Sequence, residues 1–272
     1  MSFLIYNTTV CHNDELPFNP LNRAFYYGDG FFESILVLNN NIRFLDDHYK
    51  RMINAFSAFN LEIPIYFSQK FIQESILLLS FKNGINDNFR IKINFWRNGT
   101  GFYTPNSNAT EIVFTISNFS PSVNYKKNCF FYEEIKTNYS IISPFKTLNA
   151  AIYTLSSIAK MKLQADEMIL LDTNFNVSEC TNSNLFFIKN DVVYTPSLQC
   201  GCIDGVMRKQ IIKYCNKNKI EIREGKFTKI ELLQSDFVFT SNISGLIPIL
   251  IIEQKQFSPT SFIFDTLKTI NN

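Results

Sequence analysis

Histidine is almost missing from these 272 residues; only His12 and His48 occur. Two imidazoles exclude a histidine-rich metal centre, and a Ser-His-Asp triad would have to use one of them. Charge is scarce as well. Charged residues make up 18%, and 26 Lys and Arg against 24 Asp and Glu leave a formal net charge of +2. That excess is too small to draw in nucleic acid or a membrane surface. No apolar run reaches the ~18 residues of a membrane-spanning helix. The six cysteines (Cys11, Cys129, Cys180, Cys200, Cys202 and Cys215) contain no C-x-x-C pair, so reduced, mostly buried thiols are expected. Only Cys200 and Cys202 raise the alternative of redox or metal chemistry. The opening MSFLIYNTTV lacks a basic n-region and reads as a strand, which sets an expectation of a cytoplasmic protein.

What the chain has is apolar bulk. Hydrophobic residues make up 46%, with 28 Phe and 12 Tyr, enough for large aromatic cores. A strand is expected near Phe3–Tyr6, then a hairpin in which "NNN" joins "FFESILVL" to "IRFL". Met52, Phe56 and Phe59 fall at helical spacing after Asp46 and Asp47, and a second helix is expected over roughly Ser68–Lys82. Further on, a helix is expected from about Ala150 to Gln164 and another after Gly205. Strands are expected at "EMILLD", "IEIRE", "DFVFTS" and "IPILII". Strands and helices mix without a regular βαβ rhythm, so the expected class is α+β in two domains. The polar stretch "NFSPSVNYKKN" marks the break. We expect a smaller N-terminal domain over 1–118, a linker over 119–128, and a larger C-terminal domain over 129–272 that contains Lys146.

Several segments admit both a bland and a chemical reading. Lys146, in "SPFKTLNAA", is either a surface amine at a loop end or an amine held for chemistry. Gly28 and Gly30 in "YYGDGFFES" make a tight turn into a strand; the third glycine of a dinucleotide site is replaced by Glu33. Gly205 opens a helix whose free N–H groups suit a phosphate, although Asp204 as an ordinary N-cap explains it equally well. Glu179, Arg51 and Arg97 each admit a solvated role, and Asp29, Asp172 and Asp204 suit turns or caps.

Their order along the chain is more specific than any one of them. "NRAFYYGDGFFES", "RFLDDHYKRM", "FKTLN", "SECTNSNLFF" and "VYTPSLQCGCIDGVMR" resemble, in succession, the signatures of the class IV aminotransferases. These are the fold-type IV pyridoxal-phosphate enzymes, the group that includes D-amino-acid aminotransferase. The resemblance runs from about Phe3 to Ile249, with Glu179 33 residues on from Lys146. It implies a two-domain fold-type IV architecture, pyridoxal 5'-phosphate as cofactor, and a homodimer. It implies that Lys146 binds the cofactor covalently and shuttles a proton, while Glu179 pairs with the ring nitrogen. Arg51 would hold the phosphate, with the backbone of Ile203, Asp204, Gly205, Val206 and Met207, and with Ser241 and Asn242. Phe32, Glu33 and Arg97 would face the substrate, Arg97 as the carboxylate anchor, because "GTGFYTP" lacks the second arginine of some lyases.

The resemblance is nearest to aminodeoxychorismate lyase in "VVYTPSLQCGCIDGVMR". Met207 and Ala151 replace a hydroxyl residue and a tyrosine that family aminotransferases carry. Glu33 pulls toward the aminotransferases, where some lyases have threonine. A D-amino-acid or branched-chain aminotransferase therefore stays open beside the lyase. A member that binds the cofactor without turnover is a third reading.

Overall fold

Alternating apolar residues fold into three sheets in the computed structural model, which describes residues 2–15, 21–119 and 123–271. The chain divides into two compact units, Met1–Ser120 with Phe145–Asn149, and Pro121–Pro144 with Ala150–Asn272. Positions 120–122 of the expected linker lie outside the described residues.

The first unit has strands β1 (Phe3–Tyr6), β2 (Thr9–His12), β3 (Gly30–Leu38), β4 (Asn41–Ile42), β5 (Phe89–Arg97) and β6 (Thr110–Asn118). They form one antiparallel sheet in the order β2-β1-β6-β5-β3-β4. Its helices are α1 (Arg23–Tyr27), α2 (Leu45–Ala58) and α3 (Gln69–Asn83). Strand alternation sends Phe31, Ile35, Ile93 and Phe95 to one face, where Met52, Phe56 and Ile72 of α2 and α3 cover them. Phe31 stacks on Phe95 at 4.6 Å, and Phe56 meets both edge-on. The "NNN" turn forms as expected. Asn39 and Asn40 take φ of 48° and 61°, the left-handed pair that a two-residue hairpin needs, and asparagine tolerates it. Ser68 accepts from the Phe71 N–H to start α3, and Gly84, at φ 63°, ends it.

The second unit has strands β7 (Cys129–Thr137), β8 (Glu167–Asp172), β9 (Val177–Cys180), β10 (Asn184–Lys189), β11 (Val192–Pro196), β12 (Ile222–Gly225), β13 (Phe237–Asn242), β14 (Gly245–Ile249), β15 (Ile251–Ile252) and β16 (Lys255–Gln256). Two five-stranded sheets result, β12-β11-β10-β13-β14 and β16-β15-β7-β8-β9. Four helices join them: α4 (Ala151–Lys162), α5 (Val206–Lys217), α6 (Lys229–Leu233) and α7 (Phe262–Lys268). The expected single strand "IPILII" divides at Leu250, whose N–H donates to the Lys126 carbonyl while β15 goes on to pair with β7. The core holds Cys129, Ile169, Leu171, Leu185, Val238 and Ile249. Among the described residues no helix is long and apolar enough to cross a membrane.

One boundary differs from expectation. Lys146 belongs to the first unit, not to the C-terminal one. The reason is backbone hydrogen bonding: Phe32 N–H donates to the Lys146 carbonyl at 2.7 Å, and Leu148 N–H to the Gly30 carbonyl at 3.0 Å. Thr147 bridges Phe31 between them. Gly30 permits this close approach, since a Cβ there would strike the Phe95 carbonyl and lie 2.9 Å from Leu148 Cδ1. Gly30→Ala should therefore lower the urea midpoint by the equivalent of about 1–3 kcal/mol, an overpacking cost, without changing the slope. An unchanged midpoint would mean that β5 and the Leu148 side chain can both shift at no cost.

Candidate active site

Lys146 leaves its backbone on β3 and extends its amine to 5.4 Å from the centre of the Phe32 ring. The side chain is half-buried, and Lys92 Nζ approaches the same ring at 4.6 Å. Both distances fall within the range in which an aromatic face attracts a cation.

Phe32 and Glu33 are neighbours on a strand, so they point to opposite faces. Glu33 faces α2, where His48, Arg51, Met52 and Ala55 form the buried stripe. Arg51 Nε donates to Glu33 Oε2 at 2.9 Å, and Arg51 Nη2 donates to Oε1. His48 Nδ1 lies 3.0 Å from Oε1. Burial alone would push the Glu33 carboxyl up, but Arg51 and His48 outweigh it and hold it far below the usual carboxylate range. The expectation that Glu33 faces the substrate is therefore corrected. At 2% exposure with both oxygens engaged, it orients Arg51.

Arg97 needs a similar correction. Its Nε and Nη2 donate to the two oxygens of Asp29, at 3.0 and 3.3 Å. Nη2 also donates to the Phe59 carbonyl at 2.7 Å, and Nη1 donates to the Asn60 carbonyl and to Asn108 Oδ1. All five guanidinium N–H groups are thus used, which leaves none for a substrate carboxylate. Arg97 instead clamps the end of α2 to the sheet. Asp29 also takes Arg23 Nε at 2.7 Å; burial pushes its carboxyl up, but the two arginines prevail and lower it.

In the second unit, Glu179 on β9 is 2% exposed. Its Oε1 accepts from Tyr153 O–H at 2.7 Å and from Ile203 N–H at 3.1 Å. Asn184 Nδ2 reaches Oε2 at 3.4 Å and donates to the Ile203 carbonyl at 2.7 Å. Such donors favour the ionised carboxylate. The Asn184 side chain also packs against Gly205, in the space a Cβ would need. Helix α5 then starts with Gly205 as N-cap, without a side-chain cap hydrogen bond. Asp204 does not cap it; the carboxylate pairs with Lys209 at 2.7 Å and with Arg208 at 3.8 Å. Ser241, which pairs with Asn184 across β13 and β10, has a buried hydroxyl without a protein partner, as does Ser183. Asn242 is engaged in its own turn, accepting from Ser244 N–H at 2.8 Å.

An uncapped helix start, a glycine N-cap and unpartnered buried hydroxyls make a donor set suited to phosphate. Glu179 suits a protonated ring nitrogen. The residues of this unit therefore fit pyridoxal phosphate. The cysteines do not compete with that chemistry. All six are free, and burial pushes the Cys200 thiol up to about 11 and Cys202 higher still. No metal-binding cluster occurs among the described residues. A cavity of about 780 Å³ in the first unit, lined by Tyr6, Trp96, Glu111 and Leu148 among others, does not include Lys146.

Sequence reasoning missed Tyr153, Asn184 and His48. For Tyr153 a signal existed, because it shares the inward side of α4 with Ser156 at i, i+3 spacing. For His48 the signal was its place four residues before Met52 on the apolar stripe of α2, whereas for Asn184 no local pattern distinguishes it from a surface polar residue.

Residues 30–252 match the family model described as amino-transferase class IV. The chain is 26% identical to the aminodeoxychorismate lyase of Vibrio harveyi over 239 residues, 84% of each protein. It is 24% identical to the D-alanine aminotransferase of Bacillus licheniformis over 256 residues, covering 90% of this chain and 87% of that one. Its fold matches the branched-chain amino acid aminotransferase of T.th., solved with pyridoxamine 5'-phosphate, at a TM-score of 0.85 and 21% identity. That match covers 99% of this chain and 92% of the other. The chain belongs to the class IV aminotransferase family, a family of pyridoxal-phosphate-dependent enzymes with the fold-type IV architecture.

The Glu33 cluster makes a test of stability against pH. Its carboxyl is depressed in the folded state, so its contribution is complete above the unfolded value of about 4.3 and is lost as pH falls toward the folded one. Glu33→Gln should be less stable at neutral pH, and its acid limb below about pH 4.3 should be shallower by up to ~1.4 kcal/mol per pH unit. Parallel acid limbs for the two proteins would contradict the arrangement.

Proposed function

We propose that this protein is a pyridoxal-phosphate-dependent lyase that converts 4-amino-4-deoxychorismate into 4-aminobenzoate and pyruvate, for folate precursor synthesis. The observation that carries the cofactor reading is the buried Glu179 carboxylate, held by Tyr153 and Ile203 beside an uncapped helix start. When bound, the cofactor supplies an electron sink for the bond broken at the carbon bearing the substrate's amine. Lys146 Nζ would hold the cofactor covalently and would move the proton at that carbon. Glu179 keeps the ring nitrogen protonated. Arg51, oriented by Glu33, would hold the phosphate, as would the backbone of Ile203 to Met207, Ser241 and Asn242. The direct charged hydrogen bonds, about 1.5–3 kcal/mol each, outweigh the dipole of α5, about 0.3–2 kcal/mol. Phe32 presents its ring on the substrate side.

What separates a lyase from an aminotransferase is where the electron pair goes next. A lyase expels the substituent on the neighbouring carbon, which leaves as pyruvate; an aminotransferase directs a proton to the cofactor. Two residues support the lyase. Ala151 opens α4 without the tyrosine of branched-chain aminotransferases, and Met207, 1% exposed in the first turn of α5, offers no hydroxyl. Similarity to D-alanine aminotransferase over 90% of the chain favours an amino-acid aminotransferase as the second reading. A homodimer in the cytoplasm forms part of the same proposal, and sedimentation at working concentration checks the assembly.

The purified protein, supplied with pyridoxal phosphate and 4-amino-4-deoxychorismate, should release 4-aminobenzoate and pyruvate in equal amounts. Glu179→Gln should retain the cofactor but lose about 10²–10⁴-fold in turnover. Amino transfer to a 2-oxo acid with no pyruvate from aminodeoxychorismate would make the protein an aminotransferase. Turnover near wild type in Glu179→Gln would mean that another carboxylate serves the ring.

A further inference from the structure

Tyr153 touches neither substrate nor cofactor in the roles assigned above, yet it makes the shortest of the contacts described on Glu179. Its phenol donates at 2.7 Å to the same oxygen, Oε1, that accepts the Ile203 N–H at 3.1 Å. Two donors converging on one carboxylate oxygen fix the carboxylate's rotation as well as its charge. The contact also has consequences beyond Glu179. Ile203 opens the turn that leads into α5, and Asn184 ties the Ile203 carbonyl to Glu179 Oε2 while filling the space beside Gly205. Tyr153, Glu179, Ile203 and Asn184 thus form one connected set linking α4 to the phosphate-type turn.

We propose that Tyr153 is a positioning residue for Glu179: its hydroxyl sets the orientation and proton affinity of the carboxylate that serves the cofactor's ring nitrogen, and couples that carboxylate to the α5 turn. This rests on the pyridoxal-phosphate reading above. The phenol stays the donor, because burial and the neighbouring Glu179 charge both push its own ionisation well above the ordinary value. The Cys202 thiol beside it is likewise pushed up by burial, so it adds no competing negative charge. Losing one donor raises the proton affinity of Glu179 and frees the carboxylate to turn. The expected consequences are a stronger pull of the carboxylate on the ring proton, so that the ring nitrogen is less often protonated, with slower turnover and little change in substrate affinity.

The test uses the full chain with carboxyl-¹³C glutamate, the Glu179 signal being assigned by its loss in Glu179→Gln. In Tyr153→Phe without cofactor, the Glu179 titration should move up by about one to two pH units, the worth of one charged hydrogen bond. A site-specific 3-fluorotyrosine at 153, a stronger donor that keeps its O–H, should move it down. With pyridoxal phosphate bound, Tyr153→Phe should shift the visible band of the cofactor and lower kcat about tenfold with KM unchanged. A purely packing role would move none of these signals, because phenylalanine fills nearly the same volume. If the wild type becomes coloured with pyridoxal phosphate while the Glu179 signal and visible band are unchanged in Tyr153→Phe, this inference is overturned alone. If the wild type takes up no pyridoxal phosphate, the functional reading falls and takes the inference with it.

Discussion

Two backbone hydrogen bonds hold the candidate chemistry in place, those that fasten the segment around Lys146 to the start of β3. Lys146 is separated in sequence from the strand it joins by more than a hundred residues, so nothing local determines its position. The requirement is that β5 and the Leu148 side chain close on Gly30, where a Cβ would strike the Phe95 carbonyl and lie 2.9 Å from Leu148 Cδ1. Once the segment is seated, Phe32 and Lys146 face each other as a matter of register. The glycine motif is therefore a docking edge for the Lys146 segment, not a ligand loop.

Among the described residues of the same unit, each buried arginine is paired. Arg51, Arg97 and Arg23 are nearly inaccessible, and a lone buried guanidinium would be strongly unfavourable. Each is offset by a carboxylate, Glu33 for the first and Asp29 for the other two. Such pairs contribute little net stability compared with apolar packing, but they fix direction. Glu33 aims Arg51, and Asp29 with the carbonyls at the end of α2 consumes Arg97 completely. The contrast separates the two arginines that a sequence pattern treats alike. Both are held by a carboxylate, and Arg97 in addition has every guanidinium N–H engaged.

Much of this was legible in the residues. The aromatic core, the asparagine hairpin and the α2 stripe follow from periodicity and turn chemistry, and the order of the short motifs identifies the family. What stayed hidden depends on contacts between distant segments. Strand alternation could have flagged that Phe32 and Glu33 cannot both face one site, but which of them faces α2 depends on the packed fold. That Arg97 has no spare donor depends on carbonyls at Phe59 and Asn60, some forty residues away. Tyr153 could be placed on the inward side of α4 from spacing alone. Its partner, Glu179, could not be read from sequence, because β9 must first be positioned by β8.

The central claim is that Lys146, half-buried over Phe32, is the amine that carries the cofactor. The most direct measurement is to incubate the protein with pyridoxal phosphate, reduce it with borohydride, and map the modified peptide by mass spectrometry. The account predicts a single stable adduct on Lys146, present in wild type and absent from Lys146→Ala. An adduct at another lysine with Lys146 unmodified, or no adduct at all, would contradict it.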